Sequence, residues 1–311
     1  DTLSLHDALP IFPTVFQRGG FDVVLGNPPW ERVKLQEQEF FASRSEVIAT
    51  ATNAAARKKL IAALPETDAS LWKAWCEASR EAAGQSHFVR DSARFPLCGK
   101  GDVNTYALFA EHNRSVLGPR GRAGFIVPTG IATDDSTKDY IGALLSERQL
   151  DCLYDFENTA SAGFFRGVGH GNIKFCLLSL GRGNVERPSF VFYAHQISEV
   201  TDSSRRFQLS AAEIATLNPN TRTCPIFRSR RDADINLALY LRASVFWRED
   251  VENGNPWGLR FMRMLDMAND SGLFHLRVDL QLSGHHLVGS RFDGPNGIFL
   301  PLVEAKMVNQ F

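Results

Sequence analysis

Four consecutive residues, Asn27-Pro28-Pro29-Trp30, have the types and spacing most suited to chemistry in this sequence. An Asn side-chain oxygen and the backbone carbonyl of the residue after it both accept hydrogen bonds. Aimed at one amino group, the two acceptors localise a nitrogen lone pair that an aromatic ring otherwise withdraws, and they hold that nitrogen for in-line attack. Two prolines in succession fix φ and remove a competing N–H donor, so the carbonyls stay where the chain places them. The aromatic at the fourth position can stack on a planar ring taken out of a duplex. The chemistry indicated is group transfer to an exocyclic base amine, and the same hydrogen bonds suit adenine N6 or cytosine N4.

The elements around this tetrapeptide place it. Phe21-Asp-Val-Val-Leu-Gly26 reads as a short buried strand feeding a rigid loop. Residues Glu31 to about Gly84 are rich in Ala, Lys, Arg, Glu and Gln with spaced apolar positions (Leu60, Ile61, Leu64, Leu71, Trp72, Trp75), which predicts a helical insertion at about 31–100. Pro65 is expected to open a new helix there, with Thr67 and Asp68 as cap candidates. Asp102 is expected to cap a helix from Val103 to about Leu117, stopped by Gly118-Pro119. A second strand, Arg122 to Pro128, follows. Next come a helix from about Ser136 to Arg148, a strand Leu150 to Phe156, a glycine-rich loop Gly163 to Gly171 and a strand Ile173 to Leu180. Beyond these, a strand Ser189 to Ala194 and a helix Asp232 to Ser244 are expected. Strands separated by helices call for a parallel or mixed sheet covered on both faces. Ligands in such sheets sit beyond the carboxyl ends of the strands, where Asn27 to Trp30 and Pro128 to Thr133 both fall.

Composition sets the outer bounds. The chain has 311 residues, 44% hydrophobic and 22% charged, which is enough apolar material for about two domains. Its longest apolar run is strand-sized, far from the roughly 18 residues of a membrane span, so a soluble protein is expected. With 34 Lys+Arg against 35 Asp+Glu the net charge is -1, which argues against a coat for phosphate but permits one basic cleft on a neutral body. The five cysteines (Cys76, Cys98, Cys152, Cys176, Cys224) form no CxxC pair and read as thiols of a reducing compartment. Cys98 and Cys224 have no apparent base beside them, and His285-His286 read as loop residues without supporting metal ligands. No metal site is expected.

Taken together, the chain resembles the adenine-N6 DNA methyltransferases of type IIG-like restriction-modification systems. The resemblance is carried by residues 21–31, by Gly-Asp-Val-Asn-Thr-Tyr (101–106) and by Phe-Ile-Val-Pro-Thr-Gly-Ile (125–131). It extends through Phe-Met-Arg-Met-Leu-Asp-Met-Ala-Asn-Asp-Ser (261–271) and Leu-Pro-Leu-Val-Glu-Ala-Lys-Met (300–307). It implies an incomplete Rossmann-like α/β sheet with a helical insertion, S-adenosylmethionine as methyl donor, double-stranded DNA as partner and a bacterial cytoplasmic setting within a restriction or defence system. By the same resemblance Asn27 and Pro28 bind the target amine, Pro29 shapes the loop and Trp30 stacks on adenine. Phe164, Phe165 and Pro128 would line the base pocket. The donor site of such enzymes is a glycine-rich loop ahead of the Asn-Pro-Pro-Trp block. With residues 1–11 set aside as a translated sequencing adapter, only about ten residues precede Phe21 here, and Gly167-Val-Gly-His-Gly171 precedes a strand instead of opening a helix, so cofactor-binding residues are not assigned.

The organisation expected is a partial catalytic domain at 12–185, a connector at 186–270 and the start of a target-recognition region at 271–311. Residues 1–11 coincide with the translation of a sequencing-library adapter, and both ends read as truncated. Two rival readings remain. Asp293 with Glu304-Ala-Lys306 loosely fits the magnesium-binding residues of a restriction nuclease. A noncatalytic DNA-binding module could use Arg205-Arg206 and Arg228-Ser-Arg-Arg231 on phosphates.

Overall fold

Alternating apolar segments become strands of one open sheet. The computed structural model describes residues 12–159, 163–165, 173–263, 265–266 and 270–302. The chain separates into two compact units, Asp1–Pro256 and Trp257–Phe311. In the first, strands β1 (Phe21–Gly26), β2 (Leu117–Pro128), β3 (Leu150–Asn158), β4 (Ile173–Gly181), β5 (Ser189–Ala194) and β6 (Phe207–Gln208) form a sheet in the order β1-β2-β4-β3-β5-β6. β1 pairs parallel with β2, and β3 with β5; β4 lies antiparallel between β2 and β3, and β6 is antiparallel to β5. The fold is therefore a mixed, Rossmann-like α/β sheet in which β1, β2, β3 and β5 share one direction. β4 runs against them because the glycine-rich stretch before it has no helical periodicity, and a parallel return needs a crossover, usually a helix.

One face of the sheet carries the main core. Ala123, Phe125 and Val127 of β2, Leu153 of β3 and Leu178 and Leu180 of β4 are all buried against Tyr106 and Ala110 of the helix Thr105–Ser115 and Tyr140, Ile141 and Leu144 of the helix Lys138–Ser146. The opposite face was expected to be covered too, and it is covered only in part. Phe156, Phe175, Val191 and Ala194 pack there with Trp30, Phe164 and Phe165. Toward β1, Val23 and Leu25 are 61% and 78% exposed, because no helix among the described residues lies over them.

The helical insertion has its own apolar cluster, Phe41, Ile48, Ile61 and Leu64 with Trp72 and Trp75. Pro65 does not start a helix. It sits inside Ala54–Thr67, which ends two residues later, and Asp68 caps the next helix, Ala69–Asp91, by accepting from Leu71 N at 3.0 Å. The helix expected from Val103 begins at Thr105 with Asn104 as N-cap, and Gly118-Pro119 belong to β2 instead of ending that helix. The early start of β2 follows from its pairing: Phe21 N donates to Val116 O at 2.9 Å. Gly20 permits that approach, since its φ is +129° and a Cβ there would lie 2.4 Å from Val116 O.

Near β6, Ser210 and Glu213 form a reciprocal capping box at the start of the helix Ala211–Leu217. Ser210→Ala is expected to cost about 1 kcal/mol, read as a lower urea midpoint at unchanged slope.

The second unit contains the helix Arg277–Leu282 and an antiparallel meander of β7 (His286–Val288), β8 (Arg291–Gly294) and β9 (Gly297–Phe299). His285 and His286 are not a loop pair: His286 opens β7, and His285 is buried with its ring 5.1 Å from Phe299.

Candidate active site

Because β1, β2, β3 and β5 point the same way, their carboxyl ends gather along one edge, joined there by the amino end of β4. Asn27 to Trp30 leave β1 at this edge, and Pro128-Thr129 leave β2 beside them. Pro28 is buried, whereas Asn27 is exposed and its amide makes no hydrogen bond to any described residue. Asn27 also borders a shallow depression of about 400 Å³ on the open face, lined by Leu25, Gly124, Ile126, Leu177 and Ser179.

The neighbours of Asn27 and Pro28 are firmly held. The Thr105 hydroxyl donates to Pro29 O at 2.6 Å and accepts from Glu31 N at 3.0 Å, while Thr105 N donates to Glu31 O at 2.8 Å. Val33 N adds a bond to Val103 O at 2.9 Å. Trp30 donates its indole N–H to Ile126 O at 3.3 Å and is half-buried. The loop is thus fixed at positions 29, 30, 31 and 33, leaving the Asn27 side chain and the Pro28 carbonyl without a hydrogen-bond partner among the described residues. Those are the two acceptors that the sequence pattern singles out.

An aromatic corner flanks them. Phe165 meets Trp30 edge-on at 5.8 Å and Phe175 at 4.9 Å, and Phe164 packs on Phe156 and Phe175 at 5.3 and 5.4 Å. Asn158, 5% exposed at the end of β3, grips the backbone of this corner at two points: it accepts from Phe165 N at 3.0 Å and donates to Phe165 O at 3.3 Å. Both rings are half-buried, Phe164 packed on Phe156 and Phe175 and Phe165 standing beside Trp30 as well.

Beneath Thr129 lies Asp155, 1% exposed. Its carboxylate accepts from the Thr129 hydroxyl and from Tyr193 N, the latter at 2.9 Å. Burial pushes the Asp155 carboxyl up, and these two donors oppose the shift. Pro128-Thr129 are held in this way at the site's edge.

Burial, reinforced by Glu111, raises the Cys98 thiol well above its usual range, and burial raises Cys224 to about 12, so neither is poised as a nucleophile. Among the described residues no three His, Cys, Asp or Glu side chains could hold a metal ion. No described helix is long and apolar enough to cross a membrane. Asp293 pairs with Arg291 at 2.9 Å, while Glu304-Ala-Lys306 and Gly167 to Gly171 lie outside the described residues, as do residues 1–11. Thr105, Asn158 and Asp155 were not singled out from the sequence. Thr105 stood within the Gly-Asp-Val-Asn-Thr-Tyr block, but nothing local announces a bond across 76 positions.

No family model matches the chain, and neither does any curated protein. Solved structures share parts of its shape. The methyltransferase subunit of a type I restriction-modification system from Streptococcus thermophilus is 19% identical over 44% of this chain and 34% of its own, with a TM-score of 0.33. The modification subunit of a putative type I restriction enzyme from Vibrio vulnificus is 15% identical over 38% and 31%, with a TM-score of 0.29. The type IIG restriction endonuclease BpuSI is 12% identical over 42% and 17%, with a TM-score of 0.30. The matched part is thus about a third of each type I subunit, and the functional reading rests on the geometry of the site.

Proposed function

We propose that this chain supplies the acceptor side of a site-specific DNA methyltransferase, which moves a methyl group from S-adenosylmethionine to N6 of an adenine turned out of the duplex, within a restriction-modification or related defence system. One observation carries the reading. At the carboxyl edge of the sheet, Thr105 and Ile126 engage Pro29, Trp30 and Glu31, while the Asn27 oxygen and the Pro28 carbonyl have no partner among the described residues and can accept from one amino group. Those two bonds draw the amine nitrogen out of conjugation and fix its direction of attack. Trp30, backed by Phe165, offers aromatic surface to the extruded base.

The donor is a different matter. Among the described residues no glycine-rich turn joins a strand to a helix start, so these residues do not fit a donor cradle and account for the acceptor half alone. In this reading residues 271–311 begin a target-recognition region, and the protein works in the bacterial cytoplasm.

Trp30 provides the test of base capture. Base–aromatic stacking contributes about 1–3 kcal/mol, so Trp30→Ala is expected to lower kcat/KM by roughly tenfold to a hundredfold, with Trp30→Phe clearly milder. The assay is labelled-methyl incorporation into duplex DNA by the chain together with the polypeptide that completes its donor site. Equal damage from both substitutions would count against stacking.

A further inference from the structure

The same sheet edge continues past the aromatic corner into a cationic surface. Lys174, at the start of β4, holds its ammonium 3.8 Å from the centre of the Tyr193 ring, and the Arg228 guanidinium lies 4.5 Å from the same centre. Tyr193 is a built platform. Its φ is +58°, an unfavourable value for a non-glycine residue, where the pairing of β3 with β5 shifts register. Two part-buried hydrogen bonds hold it there: Tyr193 N donates to Asp155, and Tyr193 O accepts from Arg205 at 2.7 Å.

Charge compensation here is incomplete. Glu157 is shared between Lys174 at 3.2 Å and His195 at 2.9 Å. Arg228 is exposed and has no ion pair among the described residues. Arg205, by contrast, is committed to Glu199 at 3.2 Å and to the carbonyls of Phe192 and Tyr193, so it is a structural cation. Strands lie about 4.8 Å apart, which puts β4 about 10 Å and β5 about 19 Å from β1 along this edge.

Resting on the methyltransferase reading above, we infer that Lys174 and Arg228, held on the Tyr193 ring, form a contact for the phosphate backbone of double-stranded DNA beside the base site. Arg in particular suits this task, since its planar fork both stacks on an aromatic face and donates to phosphate oxygens. The contact positions the duplex and reads no sequence.

The experiment is anisotropy of the 311-residue chain with a labelled duplex between about 50 and 200 mM salt. Arg228→Ala is expected to reduce the slope of log affinity against log salt by about 0.9 and to weaken low-salt binding roughly threefold to tenfold, equally on unrelated sequences. Lys174→Ala changes both quantities in the same direction, and Arg228→Lys keeps the slope near the wild-type value. If the wild-type chain binds duplex and Arg228→Ala matches it in slope and affinity, the phosphate contact is wrong and the methyl-transfer reading is untouched. If the wild-type chain binds no duplex at any salt, both are overturned.

Discussion

Asn27→Ala is expected to lower methyl transfer at least about a hundredfold, the scale of losing one preorganised hydrogen-bonding group from an active site, while duplex affinity stays within about twofold. The expectation separates chemistry from folding because Asn27 is exposed and its amide bonds to no described residue, so truncating it removes no hydrogen bond among the described residues. Asn27→Asp, which retains an oxygen acceptor in the same place, should keep more activity than alanine. Single-turnover methyl incorporation beside a duplex-binding curve measures the two effects separately. Full activity in Asn27→Ala would remove the amine-binding role on which the proposed function rests.

Thr105→Val is expected to act on the same chemistry from behind the loop. Valine matches threonine in shape and lacks the hydroxyl that donates to Pro29 O and accepts from Glu31 N. Two backbone groups then lose a partner, at a cost of about 1–3 kcal/mol in stability. Freed of that latch, the carbonyl of Pro28 and the amide of Asn27 are no longer held in register with one another. A misplacement of about 1 Å costs on the order of a hundredfold in rate, so the loss should fall on kcat, with KM for duplex little changed. Thr105→Ser restores the hydroxyl and should recover most of the rate. A Thr105→Val enzyme with normal kcat and reduced stability would reduce Thr105 to a purely structural contact.

The strands that position the site were legible because their apolar runs are local signals. β5 falls at Ser189–Ala194 as read, and β3 and β4 extend the expected ranges by only one or two residues. The helix boundaries near Pro65 and Gly118-Pro119 were misread for a different reason. Proline and glycine end helices on local grounds, but the pairing of β2 with β1 drew Gly118-Pro119 into a strand, and Asp68 ended one helix by capping the next. Coverage of both sheet faces was also expected, and Val23 and Leu25 show that alternation along a strand tells which residues share a face without telling what lies over it.

The amino-acid sequence alone determined which residues form the candidate site and how stiff the chain is there. Asn27 brings an acceptor, two prolines stiffen the chain after it, and a strand ending in Gly26 places both beyond its carboxyl end; these are properties of neighbouring residues, set by covalent geometry and short-range sterics. Only the tertiary structure decided what holds that group in place. Thr105 reaches Pro29 across 76 positions, Trp30 reaches Ile126 across 96, and Asp155 joins Thr129 to Tyr193 through a buried carboxylate. Such bonds leave no periodicity or motif in the chain, because they depend on which strands become neighbours, and burial of apolar surface over the whole sheet makes that choice.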